Sequence, residues 1–555
     1  MMQKRSELLM PAGSLEKLKT AVIYGADAVY MGTPDLSLRT NSQLSLDDVL
    51  EGIKFAHEHN VRVYLTLNLF SHNKDIPKLD AYIDTVKKVK PDGLIIADPG
   101  VFAYVKERAP ELNLHISTQA NVCSWLSTKF WQDQGAELVV LAREVTYKEL
   151  CEIREKCPDV KLEAFVHGSM CMTYSGRCLL SNFMSERGAN QGNCANSCRW
   201  NYKLHLKLKD GTLKELELNE HNQELFEFLL EEGYREGDFL PFEEGERGSY
   251  ILNSRDLCLL PNLDDYLKIG VDSLKVEGRG RSAFYAAIVA RAYRNAIDDW
   301  YREPENFNGN QYMDDINTIP NRGYTFAFHE GRLTNHAHSY QDTRNVGDWQ
   351  WAAQISDVTE DAYIMLVKNK MEKGDVLEFI PPHSQQTMFL RIYEFIDAKT
   401  GESLDVVHAG QQRHIKVPFI WFEHEDMDFV KTAMPPYSVI RKEVAMTDRN
   451  YQRLKLDRIS YNVERGVNSE GLYQKQSDKL SQAIELDDQN AVRNPPRVGT
   501  QGCCGRGCNG CLIFWHDPKY TKARELMADK KQGEMLSKSQ GKVFRQDSVI
   551  EKNDK

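Results

Sequence analysis

Residues 7–32 read ELLMPAGSLEKLKTAVIYGADAVYMG. Two short apolar runs, Glu7–Met10 and Ala28–Met31, flank a stretch with helical spacing. Ser14 stands where a helix N-cap belongs, and Gly25 where that helix would stop. This is a strand–helix–strand unit, and the pattern repeats along the first ~300 residues. Further strand candidates are Val61–Asn68, Gly93–Ala97, Leu114–Thr118, Leu138–Ala142, Leu162–Val166, Tyr250–Asn253 and Asp272–Glu277. Helix punctuation agrees: Ser45 with Asp48 resembles a capping box, and Pro158 follows a helix ending near Lys156. Strands alternating with helices build a parallel sheet.

The candidates number nine, and a closed (β/α)8 barrel needs eight. A doubly wound open sheet is the competing fold. The units repeat without a division into two mononucleotide-binding halves, so the expectation is α/β, a TIM-like barrel with one candidate outside it. Residues 1–330 form this barrel, with a long cysteine-bearing insertion at 168–250 that ends in the acidic stretch LEEGYREGDFLPFEEGERGS. Residues 340–446 change to short β segments separated by Gly and Asp turns: Ala362–Lys368, Asp375–Phe379, Thr387–Ile392, His414–Ile420 and Ser438–Arg441. They predict a small β-barrel domain. A polar linker spans 447–500, and a cysteine-rich, basic tail 501–555.

Composition narrows the class. The chain has 555 residues, 41% hydrophobic and 27% charged, which excludes a disordered, collagen-like or coiled-coil protein. No run approaches the ~18 apolar residues of a membrane span, and the first residues lack a signal-peptide pattern, so a cytoplasmic location is expected. The net charge of −11 argues against a non-specific nucleic-acid coat, yet charge is uneven. From Lys519 to Lys555 there are ten Lys and Arg against six Asp and Glu, a net of +4. In a reducing compartment, clusters among the 12 cysteines point to metal or redox chemistry.

The first cluster follows a strand directly: His167-Gly-Ser-Met-Cys171, then Cys178, Cys194 and Cys198, spaced Cys-x6-Cys-x15-Cys-x3-Cys. Four thiolates hold either an iron–sulfur cluster or tetrahedral zinc. The spacing is looser than the Cys-x2-Cys pairs of zinc ribbons, which favours iron–sulfur. His167 ends the strand Leu162–Val166 on the catalytic face of a barrel, so these cysteines border the expected active site.

The block HGSMCMTYSGRCLLSNF…NQGNCANSCRW resembles the signature of the collagenase-like peptidase U family. The stretches ELLMPAGSLEKLKTAVIYGADAVYMG, IADPGV, STQANV, YILNSRDL, GVDSLKVEGRGRS and NRGYTFAFHEG extend the likeness to about residue 445. The small β domain, with VKNKMEKGDVLEF, favours the nucleic-acid-modifying branch. The resemblance implies tRNA modification: prephenate-dependent hydroxylation of the wobble uridine to 5-hydroxyuridine. Hydroxylation of ribosomal RNA or of a ubiquinone precursor, and a collagenase-like peptidase, are the alternatives. It also implies that Cys171, Cys178, Cys194 and Cys198 bind a [4Fe–4S] cluster, with Cys258 or Cys123 as competitors for the Cys198 position. Prephenate, tRNA and an electron donor are the implied partners. A peptidase finds no support in the residues. His57-Glu58-His59 has the wrong spacing for two ligands on one helix face, and no Gly-x-Ser-x-Gly elbow is present.

Barrel geometry selects the polar residues that follow apolar strands: Asn68, Asp98, Gln119, Arg143, His167 and Glu277. Each is expected to point into the mouth. Arg143, His167 and Glu277 are the catalytic candidates, and Asn68 and Gln119 the substrate-binding ones. Glu277-Gly-Arg-Gly-Arg-Ser282 opens a helix, so Arg279 and Arg281 form a candidate anion site for an RNA phosphate or a prephenate carboxylate. The tail carries Cys503, Cys504, Cys508 and Cys511, similar to the cysteine motif of oxidoreductase-like segments, with His516 as a further donor. It is a possible second metal site. The small β domain and the basic tail are expected to grip RNA through its phosphates.

Overall fold

The computed structural model describes residues 5–445 apart from 33–43, 69–70, several positions within 172–253, and 332, 334–336, 338–344 and 411. Eight parallel strands form a closed ring: β1 (Glu7–Ala12), β2 (Ala28–Met31), β3 (Arg62–Leu67), β4 (Gly93–Ile96), β5 (Leu114–Ile116), β6 (Leu138–Val140), β7 (Lys161–Ser169) and β9 (Ser273–Val276). Ser273 of β9 pairs with Glu7 of β1 on one side and with Glu163 of β7 on the other, which closes the barrel. The expected barrel is therefore present. Between β7 and β9, the short β8 (Asp256–Cys258) runs antiparallel to β7, and β10 (Tyr324–Thr325) lies beside it. The candidate strand Tyr250–Asn253 lies outside the described residues.

Helices cover the ring: α1 (Leu15–Ile23), α2 (Leu46–Glu58), α3 (Leu79–Val89), α4 (Pro99–Arg108), α5 (Trp125–Asp133), α6 (Tyr147–Lys156), α8 (Leu263–Lys268), α9 (Ala283–Arg302) and α10 (Met313–Thr318), with α7 (Leu180–Ser185) in the cysteine loop. Caps fix where they start. Ser14 accepts from the Lys17 amide, and Ser45 with Asp48 forms the reciprocal capping box. The core lies between strands and helices, where Leu8, Met10, Val63, Leu94, Leu162 and Leu274 are each 0% exposed. Each such side chain contributes about 1.5–3 kcal/mol on burial. Inside the ring a smaller cluster joins Leu9, Ala28, Tyr30, Tyr64 and Ile95.

The second domain is an antiparallel sheet bent into a half-barrel. Its strands are β11 (Trp349–Val358), β12 (Ala362–Val367), β13 (Met371–Glu372), β14 (Val376–Ile380), β15 (Met388–Arg391), β16 (Phe395–Asp397), β17 (Ser403–Leu404), β18 (Val406–Val407), β19 (His414–Pro418) and β20 (Val439–Glu443). Eight of them run in the order β15-β14-β20-β11-β12-β19-β16-β17, and β13 pairs with β18. The domain is fastened to the barrel helices by buried polar contacts. Tyr24 OH donates to the Ile380 carbonyl at 2.6 Å and accepts from the Val439 amide at 2.9 Å. The Arg291 guanidinium donates to the carbonyls of Ser384 at 2.8 Å and Gln385 at 2.7 Å.

Residues 203–249 belong to a separate unit. Its described strands pair as short antiparallel hairpins, His205–Lys207 with Leu213–Glu215 and Phe228–Glu231 with Phe239–Phe242. The expected linker and the tail cysteines Cys503, Cys504, Cys508 and Cys511, with His516, lie outside the described residues. Among the described residues, no helix is long and apolar enough to cross a membrane.

Candidate functional site at the barrel mouth

The C-terminal strand ends bring Arg143, Glu277 and Arg279 together. Arg143 follows β6, and its Nη2 donates to Glu277 Oε2 at 3.2 Å. Its guanidinium carbon lies 3.8 Å from the centroid of Phe165, an arrangement that holds a planar cation in place. Glu277 follows β9, with its amide bonded to the His167 carbonyl at 2.9 Å. Gly168 has φ +113, and a Cβ there would collide with the Glu277 carbonyl. Only glycine lets the two chains close this tightly.

Arg279 approaches Thr66 Oγ1 at 3.4 Å and the Tyr30 ring at 5.7 Å, and makes no ion pair among the described residues. Lys17, in the first turn of α1, donates to the Arg279 carbonyl at 3.2 Å and likewise makes no ion pair among the described residues. Burial pushes its ammonium below the usual lysine range. Two cations without an ion pair among the described residues therefore stand beside the Arg143–Glu277 pair, an arrangement that can receive an anion.

Arg281 differs from its neighbour. Its Nη2 donates to Asp256 Oδ2 at 2.8 Å, and Arg322 takes the other oxygen of that carboxylate. Asp256 and Arg322 are each 2% exposed, so Arg281 belongs to a buried structural network, not to the anion site expected of it.

His167 is also placed differently from the expectation. Lys275 pairs with Phe165 but Val276 pairs with His167, so β7 carries one extra residue, Val166. Such a bulge re-aims the following side chain. His167 packs among Tyr285, Tyr293 and Tyr324, with ring centroids 5.9, 5.6 and 5.6 Å away, and is 1% exposed. Burial pushes its imidazole down to about 3, so it is neutral at ordinary pH. It is a packed core histidine in this structure.

Asp98 caps α4, accepting from the amides of Gly100 and Val101 at 2.9 and 3.0 Å. Asn68 donates to Ser117 Oγ at 3.4 Å, while its Oδ1 is buried without a partner among the described residues. Gln119 is 5% exposed in the turn after β5.

The four cysteines of the first cluster lie on the loop leaving β7. Cys171, Cys178, Cys194 and Cys198 are half-buried and outside any disulfide. Arg177 Nε donates to Asn121 Oδ1 at 2.7 Å and ties the loop to the connection after β5. Ser181 Oγ of α7 accepts from the Ala195 amide at 2.8 Å and holds the Cys194 side. The donor set, four unoxidised thiols on one tethered loop, fits a thiophilic group. Among the described residues, no three Cys, His, Asp or Glu side chains converge as metal ligands. The two competitors lie elsewhere. Cys258 is 0% exposed, with Sγ 3.7 Å from Met313 Sδ in the core. Burial, reinforced by Glu144 and Glu149, pushes the Cys123 thiol up to about 11.

Lys17, Tyr30, Thr66 and Phe165 escaped the sequence reading. The one signal beside Lys17 is Gly13, where a Cβ would collide with the Arg279 carbonyl.

A model of peptidase family U32 matches residues 13–339, and a model of the C-terminal domain of that family matches 348–428. The chain belongs to peptidase family U32. It is 35% identical over 426 residues to tRNA hydroxylation protein P of Escherichia coli K12, covering 72% of this chain and 91% of that one. It is 33% identical over 463 residues to tRNA hydroxylation protein P of Helicobacter pylori 26695, covering 79% and 99%. It is also 30% identical over 294 residues to the 23S rRNA 5-hydroxycytidine C2501 synthase of Escherichia coli K12, covering 53% of this chain and 39% of that one. Despite the family's name, the histidines of the one His-Glu-His stretch are engaged elsewhere. His57 pairs with Asp92 at 2.8 Å and His59 with the Phe55 carbonyl at 2.8 Å.

Proposed function

We propose that this chain hydroxylates tRNA in the cytoplasm, converting the wobble uridine to 5-hydroxyuridine with prephenate as co-substrate. The observation that carries the reading is the pair of relatives named for tRNA hydroxylation, at 33–35% identity over 72–79% of the chain. The mouth supports it chemically. Arg279 and Lys17 offer charge-assisted hydrogen bonds to a carboxylate of prephenate. Glu277, held by Arg143, is the group placed to accept a proton from the reacting base. The buried, neutral His167 takes no part, so catalysis rests on Arg143 and Glu277.

Cys171, Cys178, Cys194 and Cys198 would hold a [4Fe–4S] cluster, which when bound supplies electron transfer or an open iron for substrate and calls for an electron donor as partner. Residues 345–445 contain ten Lys and Arg against sixteen Asp and Glu, a net of −6. An acidic domain repels phosphates, so RNA affinity is assigned to the mouth and to the +4 tail rather than to the half-barrel. The tail cysteines remain candidates for a second metal.

The test is nucleoside mass spectrometry of tRNA and ribosomal RNA from cells with and without the gene. The proposal expects loss of a hydroxylated uridine from tRNA alone. Loss confined to ribosomal RNA would assign the chain to the other branch. Anaerobically purified protein should also contain iron and acid-labile sulfide, and zinc without sulfide would remove the cluster from the account.

A further inference from the structure

Below the mouth, from the strand starts at Glu7 and Ser273 up to Lys275, the barrel lumen carries charge where such barrels usually pack branched apolar side chains. Glu7, Glu163, Ser273 and Lys275 are 6%, 0%, 1% and 5% exposed. Lys275 Nζ donates to Glu163 Oε1 at 2.6 Å. Ser273 Oγ lies 3.0 Å from Glu163 Oε2 and 3.1 Å from Glu7 Oε1. A serine hydroxyl owns one proton and can satisfy only one of two carboxylates. The second contact needs a proton on a carboxyl group. Glu163 already receives the Lys275 ammonium, which leaves the proton to Glu7. The other Glu7 oxygen accepts from Tyr64 OH at 2.9 Å and from Arg62, so the proton resides on Oε1, facing Ser273.

The neighbouring groups agree. His115 of β5, with its ring 4.6 Å from that of Tyr64, is held neutral by burial and by the nearby Lys275 charge. Burial raises the Glu7 carboxyl to about 7, with Arg62 opposing and Glu163 reinforcing the rise. Above, the Lys275 ammonium lies 4.5 Å from the Tyr30 centroid and 5.6 Å from that of Phe165. These are the rings against which Arg279 and Arg143 rest.

We propose that Glu7, kept as a neutral carboxylic acid, is a positioning residue for the reaction at the mouth: the chain Glu7–Ser273–Glu163–Lys275 fixes the aromatic floor under Arg143 and Arg279. The inference rests on the reading of the mouth as the reaction site. Loss of the proton leaves two carboxylates competing for one hydroxyl, and the Glu163–Lys275 pair shifts with the rings above it.

The test compares the wild-type holoenzyme with Glu7→Gln, whose amide can donate to Ser273 and accept from Tyr64 at every pH. Two quantities are followed from pH 5.5 to 8.5: the melting temperature, and the hydroxylation rate at saturating tRNA and prephenate, using tRNA from a strain lacking the gene. In the wild type the melting temperature should fall from pH 5.5 to about 7 and level off above it, while the rate holds at acid pH and drops to about a tenth of its plateau by pH 8. In Glu7→Gln the fall in melting temperature with rising pH and the loss of rate above pH 7 should both be absent. An unchanged inflection in the variant overturns the proposal. So does a variant inactive at every pH with normal iron content and melting, since an ionised carboxylate would then be what the site needs. A wild type that melts as expected but never hydroxylates tRNA refutes the functional reading while leaving the proton on Glu7.

Discussion

Arg279 and Arg281 are two residues apart, yet the structure gives them opposite roles, and replacing each by Gln separates them. Arg279 has no carboxylate partner among the described residues and meets only Thr66 and the Tyr30 ring. Its loss should leave folding nearly intact and remove one charge-assisted hydrogen bond to the anionic co-substrate, about 1.5–3 kcal/mol. At ~1.4 kcal/mol per tenfold, that is a rise of roughly 10- to 150-fold in the KM for prephenate. Arg281 bonds Asp256, a carboxylate 2% exposed that keeps Arg322 as its other partner. Arg281→Gln should cost about 1–3 kcal/mol of stability, the penalty for a buried acceptor short of a donor, with KM near the wild-type value. Urea denaturation and initial rates against prephenate concentration read the two effects independently. The reverse result, a large KM effect at Arg281 and none at Arg279, would refute the division of labour at this loop.

Other expectations follow from the same geometry. His167 sits below its unfolded value of 6.5, at about 3, because burial excludes the charged form. Its contribution is whole above pH 6.5 and is lost as pH falls toward 3, up to roughly 5 kcal/mol at ~1.4 kcal/mol per pH unit. His167→Phe should flatten the acid limb of a stability–pH curve between pH 6 and 4, and an unchanged limb would place that histidine in water. Cys171→Ala should lose most of the bound iron and sulfide while the barrel still melts cooperatively; retention of both would take Cys171 out of the ligand set. A chain truncated near Asp448 should fold and keep its iron, because the half-barrel is complete by β20. Its tRNA affinity should drop at moderate salt while turnover at saturating tRNA persists. Normal affinity with no turnover would make the tail cysteines part of the redox path.

The barrel was legible because its strands are short apolar runs bounded by capped helices, and Ser14, Ser45 and Asp48 cap as their spacing implied. Arg143 and Glu277 were legible as polar residues just past such runs. His167 was misread for a reason sequence alone does not carry. A bulge is a property of pairing between β7 and β9, 110 residues apart at Glu163 and Ser273, and it changes which face the next side chain takes. Arg281 was misread because its partner, Asp256, lies on a three-residue strand with no periodicity of its own. The polar lumen at Glu7, Glu163 and Lys275 was hidden inside runs read only as strands. Alternation marks these residues as sharing a face, but closure of the ring is what makes that face an interior.

The central claim is tested most directly by the 5-hydroxyuridine content of tRNA from a strain lacking this gene, measured by mass spectrometry after re-expression of the wild-type chain or of Cys171→Ala. The account predicts 5-hydroxyuridine at the wobble position with the wild type, and little or none with the variant. Equal amounts in the deletion strain and in the strain carrying the wild type would contradict it.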